Sequence, residues 1–335
     1  MVHNERKNKT LIIILFFVTA FLAVISMLYG RYHVSCQELI NYFIGVNVDT
    51  SVNSAIGNVR LPRVLAALIV GSALSMSGAS YQGVFRNPMV SPDLLGASAG
   101  AGFGAALGIL LEFSPFGIQS VSFLFGLAAV GLSWLISNSI GRNNNIILVL
   151  ILSGMVISAL FQAFISGIKY LADPYSKLPE ITFWLMGSLS TITMSDLFFA
   201  LPFVILSATI LFLLRWRLNV LVFGDDEAVS LGINTKKLRL IIIVCATLLT
   251  ASVVSISGQV GWVGLVIPHF CRMIVGPNYK YLIPASLFVG GSYLLLVDNI
   301  ARNFLTVEIP LGILTAVIGA PVFVFLLLKG RKEWC

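Results

Sequence analysis

Long apolar runs broken by short polar clusters organise this chain almost from end to end. The runs from Leu11 to Tyr29, from Phe198 to Leu214 and from Leu240 to Val254 reach or approach the length of about 20 residues that a helix needs to cross a hydrocarbon core about 30 Å thick. Cutting the sequence at its polar clusters and at its Pro and Gly punctuation predicts ten spans, at 11–29, 62–81, 94–111, 117–138, 146–168, 194–214, 239–257, 261–275, 282–300 and 309–328. The expected fold is all-α, a polytopic membrane protein with about ten transmembrane helices in one bundle. Residues 1–335 then form a single transmembrane domain. The first run follows Arg6, Lys7 and Lys9 but leads into "YGRYHVS" and not into an A-x-A cleavage site, so it reads as a retained helix.

Composition agrees. The chain is 58% hydrophobic and only 10% charged, with a mean hydropathy of +0.96, whereas soluble domains carry roughly 25% charged residues. Cys36, Cys245, Cys271 and Cys335 are scattered without a C-x-x-C pair, which points to neither a disulfide framework nor a zinc site. His269 and Cys271 lie close together, but no third ligand is near them in the sequence, so they read as polar groups near a helix end.

The net charge of +7 acquires meaning from its placement. With an even number of spans both termini share one side. Placing them in the cytoplasm puts Arg6, Lys7, Lys9, Arg86, Arg142, Arg215, Arg217, Lys236, Lys237, Arg239, Arg272, Lys280, Lys329, Arg331 and Lys332 inside. Arg31, Arg60, Arg63, Lys169, Lys177 and Arg302 remain outside, fifteen against six of the 21 basic residues. That asymmetry is the signature of membrane insertion, so the basic balance implies no nucleic-acid partner.

The longest polar interruption, "FGDDEAVSLGINTKKLR" from Phe223 to Arg239, falls on the cytoplasmic side, within a loop of about 219–238. Asp225, Asp226 and Glu227 suit the positive N-terminal end of a short helix, Ala228 and Leu231 continue it, and Gly232 stands where a helix end takes a left-handed residue. Lys236, Lys237 and Arg239 then anchor the next span. The residues alone allow either an ordinary loop helix or a docking element, and the isolation of the segment in a short-looped chain favours docking.

In "GASAGAGFGAALG", Gly96, Gly100, Gly104 and Gly108 recur at spacing four and so share one helical face. Each costs a helix up to about 1 kcal/mol relative to alanine. Close helix packing explains that cost, and no ligand site is inferred. In the preceding "RNPMVSPDLLG", Asp93 is expected to cap a helix N-terminus, with proton carriage as the alternative.

The sequence holds no G-x-x-x-x-G-K-[ST], no H-E-x-x-H and no G-x-S-x-G, so no catalytic role is assigned to the chain. The predicted span interiors contain almost no ionisable residue: Asp196, Asp298 and Arg302 sit near ends, and Glu112, Glu180 and Glu308 in or beside outer loops. Ion-coupled transporters usually need such residues within their spans, so the alternative of an ion-coupled secondary transporter is disfavoured and a separate engine is expected. The scarcity of converging polar groups predicts a mostly apolar conduit without a high-affinity substrate site.

Four stretches resemble the FecCD-type permease subunits of ATP-binding-cassette importers for iron-siderophore, haem and cobalamin uptake. They are "RLPRVLAALIVGSALSMSGASYQGVFRNPMVSPDLLGASAGAG" (60–102), "DDEAVSLGINTKKLR" (225–239), "GWVGLVIPHFCRMIVGP" (261–277) and "LLVDNIARNFLTVEIPLGILTAVIGAPVFVFLLLK" (295–329). The resemblance covers nearly the whole chain. It implies a homodimer in a bacterial or archaeal cytoplasmic (inner) membrane, with the path at the dimer interface. Two cytoplasmic ATPase subunits that use ATP and Mg would dock below, and an extracellular or periplasmic substrate-binding protein above, with no cofactor held by this chain. The segment from Asp225 to Gly232 matches the coupling helix that sits in a cleft of the ATPase. Arg60, Arg63 and Arg302 match residues that meet acidic groups on the binding protein; snorkelling at span ends is their bland alternative. Cargoes in such a family include siderophores, haem, cobalamin and, in one branch, molybdate or tungstate. The stretch "KYLADPYSKLPEITFWLMGSLS" (169–190) departs from the cobalamin pattern and is expected to form part of an outer gate.

Overall fold

A computed structural model describes residues 2–46, 48–140 and 146–330. Arg142, Arg331 and Lys332 of the expected inner basic set, and Cys335, lie outside the described residues.

The ten predicted spans correspond to ten helices: α1 (Val2–Leu28), α4 (Leu61–Val84), α5 (Ala97–Leu110), α6 (Pro115–Ile140), α7 (Ile146–Leu171), α9 (Met194–Phe223), α11 (Thr235–Ser257), α12 (Val263–Val275), α13 (Tyr279–Asn303) and α14 (Leu311–Gly330). Among the described residues seven helical segments are long and apolar enough to cross a membrane, and α5, α12 and α14 are shorter apolar helices. Among the described residues four further α-helices decorate the ends, α2 (Cys36–Ile44), α3 (Thr50–Ser54), α8 (Lys177–Met186) and α10 (Asp225–Ser230), with a π-helical stretch at Ala55–Arg60 and a 3₁₀ turn at Pro92–Leu95. Of these, only α10 was anticipated by the polar pattern. At α2 a capping box joins Ser35 and Glu38, and the Ser35 N–H and hydroxyl hold the Glu38 carboxyl below its ordinary range.

Helix α4 forms the axis of the bundle, buried along nearly its whole length and packed against α9, α11, α12 and α13. Small residues permit the approach. A Cβ on Gly71 would lie 2.2 Å from the Gly290 oxygen of α13, and one on Gly78 only 1.8 Å from the Gly264 oxygen of α12. Hydroxyl pairs fix the register against α11, with Ser77 Oγ 2.8 Å from Thr250 Oγ1 and Tyr81 Oη 2.7 Å from Thr247 Oγ1. Helices α1 and α13 are joined by Thr19 and Ser292 at 2.8 Å, and most of α1 faces outward.

The glycine stripe divides in two. Cβ atoms on Gly100 and Gly104 would meet main-chain oxygens of α6 at 2.3 and 2.5 Å, and Gly108 lies against Ile118 of the same helix. Gly96 does not share this face. It precedes α5 with φ of +90° and turns toward Ser158 of α7, so its role is to let the chain change direction.

Candidate functional site

Three irregular segments meet within the bundle. Helix α8 ends at Gly187 and α11 ends at Gly258, both with positive φ. The Ser188 N–H donates to the Ser257 oxygen at 2.9 Å, and the Leu311 N–H at the head of α14 donates to the Gly187 oxygen at 2.9 Å. Contact is close enough to require glycine, since a Cβ on Gly258 would be 2.2 Å from the Trp184 oxygen. Non-helical backbone at membrane depth is tolerated where protein buries it or where it lines a cavity.

A cavity of about 650 Å³ lies beside this junction. It is bounded by the start of α5, by α7, by the end of α8, by the segment from Gln259 to Trp262 and by the first turns of α14. Five polar side chains converge there: Asp93, Ser98, Ser158, Gln162 and Gln259. Gln259 Nε2 donates to the Ser98 oxygen at 2.9 Å, and Gly102 leaves the room this amide needs, because a Cβ would stand 2.5 Å from it. The Ser98 hydroxyl donates to Asp93. Asp93 is therefore not the expected cap of a helix N-terminus; Gly96 holds that position at α5, and the carboxylate belongs to the cavity wall. The rest of the wall is apolar, with Leu185, Met186, Val260, Ile313, Ala316 and Val317, so the mostly apolar conduit that was expected also carries a few polar groups. Its polar groups are far apart in the chain and meet only after folding. No lysine or arginine lines the cavity among the described residues.

On the opposite side from the outer loops, α10 is held at both ends. Gly224 (φ +144°) and Gly232 (φ +76°) bracket it. The Gly232 N–H donates to the Val229 oxygen at 2.9 Å and the Ile233 N–H to the Ala228 oxygen at 3.0 Å, the paired bonds of a Schellman stop. The three acids separate in role. Asp225 receives Arg86 at 2.5 Å and Arg239 Nη1 at 2.9 Å, whereas Asp226 and Glu227 are exposed. Ala228 is buried, and Val229 and Leu231 are exposed apolar side chains beside the exposed Asp226, Glu227 and Ser230.

The outer arginines are placed differently from expectation. Arg60, Arg63 and Arg302 are only 4, 5 and 7% exposed. Arg60 Nη1 donates to the Met27 and Leu28 oxygens at 2.5 and 3.0 Å. Arg63 lies between Asp298 and Glu308, and Arg302 Nη2 donates to the Ser26 oxygen at 2.7 Å. Their guanidinium groups are engaged inside the fold, and little of any of them is open to solvent. Asp298, which looked like a span-end residue, is fully buried between Arg63 and Arg302.

An all-helical bundle of membrane-spanning length, with a cavity at a helix break and a capped helix at one end, is the architecture of a transport permease. Residues 17–329 match the FecCD transport family, and the chain belongs to that family. It is 44% identical over 315 residues to the molybdate import system permease protein MolB of Haemophilus influenzae, covering 92% of this chain and 93% of that one. It is 40% identical over 317 residues to a Helicobacter pylori protein named "Probable iron chelatin transport system permease protein", with 92% and 95% covered. The solved structure of a metal-chelate-type ABC transporter in an inward-facing conformation superposes with a TM-score of 0.88 at 42% identity, covering 96% and 99%. The chain is thus a multi-pass, non-catalytic permease subunit of a prokaryotic ABC importer, a class that implies ATPase and binding-protein partners.

Proposed function

We propose that this permease carries an iron-siderophore or related metal chelate. The observation that supports this most is the cavity. Its volume of about 650 Å³ falls in the usual range of about 300–1,000 Å³ for small-molecule sites, far more than a bare tetrahedral oxyanion requires. Its wall offers hydroxyls, amides and a carboxylate, with no cation to receive a dianion among the described residues. Molybdate is the second reading, supported by the similarity to MolB.

In this reading two copies of the chain associate in a bacterial or archaeal cytoplasmic membrane with their termini inside. The exposed faces of α7 and α14, which border the cavity and carry Val156, Leu160, Val317 and Phe325 outward, approach each other and complete the path. Helix α10 is the coupling helix. Asp226, Glu227, Val229 and Leu231 meet a cytoplasmic ATPase that supplies the ATP and Mg, and Asp225, Ala228 and Gly232 hold the helix to the membrane domain. A substrate-binding protein delivers cargo to the outer side.

The test is equilibrium binding of ferric hydroxamate, haem, cobalamin and molybdate to the partner binding protein, followed by ATP-dependent uptake of the ligand that binds in vesicles holding the whole importer. Tight binding and uptake of an iron chelate support the proposal. Selective uptake of molybdate replaces it with the second reading, and uptake that follows an ion gradient without the ATPase overturns both.

A further inference from the structure

We infer that Glu308 is a positioning residue that holds the outer end of α14 and thereby sets outer access to the cavity; this deepens the proposed reading of the cavity as the cargo path. Helix α14 supplies one wall of the cavity through Gly312, Ile313, Ala316 and Val317. It is also among the least enclosed helices, with Ile313, Val317, Val324 and Phe325 exposed. What keeps its outer end in place is therefore a small set of contacts.

Glu308, three residues before α14, makes the strongest of them. Its two oxygens receive Arg63 Nη1 and Nη2 at 2.8 and 3.0 Å, a bidentate charge-assisted fork that fixes direction as well as distance. Arg63 cannot follow if the loop moves. Its Nε reaches both Asp298 oxygens at 3.0 and 3.1 Å, and Asp298 is fully buried in α13. Glu308 is the partner that solvent reaches, with its side chain 36% exposed. The other ties of the segment are the bond from Arg31 Nη2 to the Leu305 oxygen, the main-chain bonds from the Ile309 N–H to the Ala301 oxygen and from the Leu311 N–H to the Gly187 oxygen, and the buried side chain of Leu311. The arrangement is a fixed cation in the body of the bundle and a releasable carboxylate on the segment that leads into the cavity wall.

The experiment uses the full chain in right-side-out membrane vesicles, with the exposed Cys36 changed to serine and Ala316→Cys as a reporter in the cavity wall. A membrane-impermeant methanethiosulfonate is added from outside and the rate of labelling is measured. Glu308→Gln is expected to raise the rate several-fold, Arg63→Lys to raise it because the ammonium cannot make the fork, and Glu308→Asp to restore it at least in part. The buried Cys245 reports general loosening. Unchanged labelling of the reporter in both Glu308→Gln and Arg63→Lys overturns the inference, as does a parallel rise at Cys245. If Glu308→Gln does not accumulate, Arg63→Lys and Glu308→Asp decide by the same two criteria. Labelling needs neither ATPase nor cargo, so failure of the importer reading would appear in the uptake assay and leave this measurement standing, and the reverse also holds.

Discussion

Arg239 closes onto Asp225, with Nη1 of the arginine 2.9 Å from one carboxylate oxygen. One residue begins α10 and the other lies in the first turns of α11, so the bond ties the short inner helix to a span that runs through the centre of the bundle. Arg86, which follows α4 and itself holds a positive φ, meets the same carboxylate. Movement imposed on α10 is therefore handed to α4 and α11 together.

Replacing Asp225 with asparagine should separate these helices mechanically while leaving the chain folded. Pairs this exposed contribute about 0.2–1 kcal/mol each, so the melting temperature should move little. Cargo transported per ATP hydrolysed should fall several-fold in the reconstituted importer. Normal coupling in this variant would show that α10 transmits motion without its arginines.

At Gly232 the demand is conformational only, because nothing lies within 4 Å of the position a Cβ would take. A left-handed backbone costs an ordinary L-residue about 1–2 kcal/mol, and asparagine bears it better than valine does. Gly232→Val should lower transport per ATP, and Gly232→Asn should retain most of it. Equal behaviour of the two variants would remove backbone geometry as the cause.

For the outer arginines the expected phenotype is instability. Arg60→Ala leaves buried carbonyl groups of α1 without a donor, at about 1–3 kcal/mol for each unsatisfied group. The thermal midpoint should drop, with the association rate of the binding protein nearly unchanged at low and high salt. A reversed-charge variant that folds normally, binds the partner slowly and is rescued by an acid-to-lysine change on that partner would return these residues to a docking role.

Two glycines should respond oppositely to alanine. Gly71→Ala drives a methyl into the Gly290 main chain, and overpacking of this kind costs about 1–3 kcal/mol. Gly131→Ala on α6 meets open space and should be neutral or gain up to about 1 kcal/mol from helix propensity. Thermal melts of the two purified variants check the pair.

The ten spans and α10 were legible because length, hydropathy and capping residues are properties of consecutive positions. The cavity was not. Asp93, Gln162 and Gln259 belong to different elements, and no local rule brings them to one wall. The same limit governs Arg63, which finds Asp298 and Glu308 more than two hundred positions away; from the sequence it looked like a span-end cation free to meet a partner. Helix α8 was read as an outer segment of unspecified shape, since ten residues interrupted by Pro179 carry no clear period.

The central position of α4 has a consequence for biogenesis. Translation delivers it to the membrane early, whereas α11, α12 and α13, which enclose it, emerge more than 150 residues later. Until they arrive its serine-rich faces and the bare backbone at Gly71 and Gly78 have no native neighbour. Contacts so distant along the chain form slowly and leave unpaired surfaces exposed in the interval. The nascent bundle must therefore stay open around a helix already in place, and a chain that stops before Asn303 has made its axis without the walls that hold it.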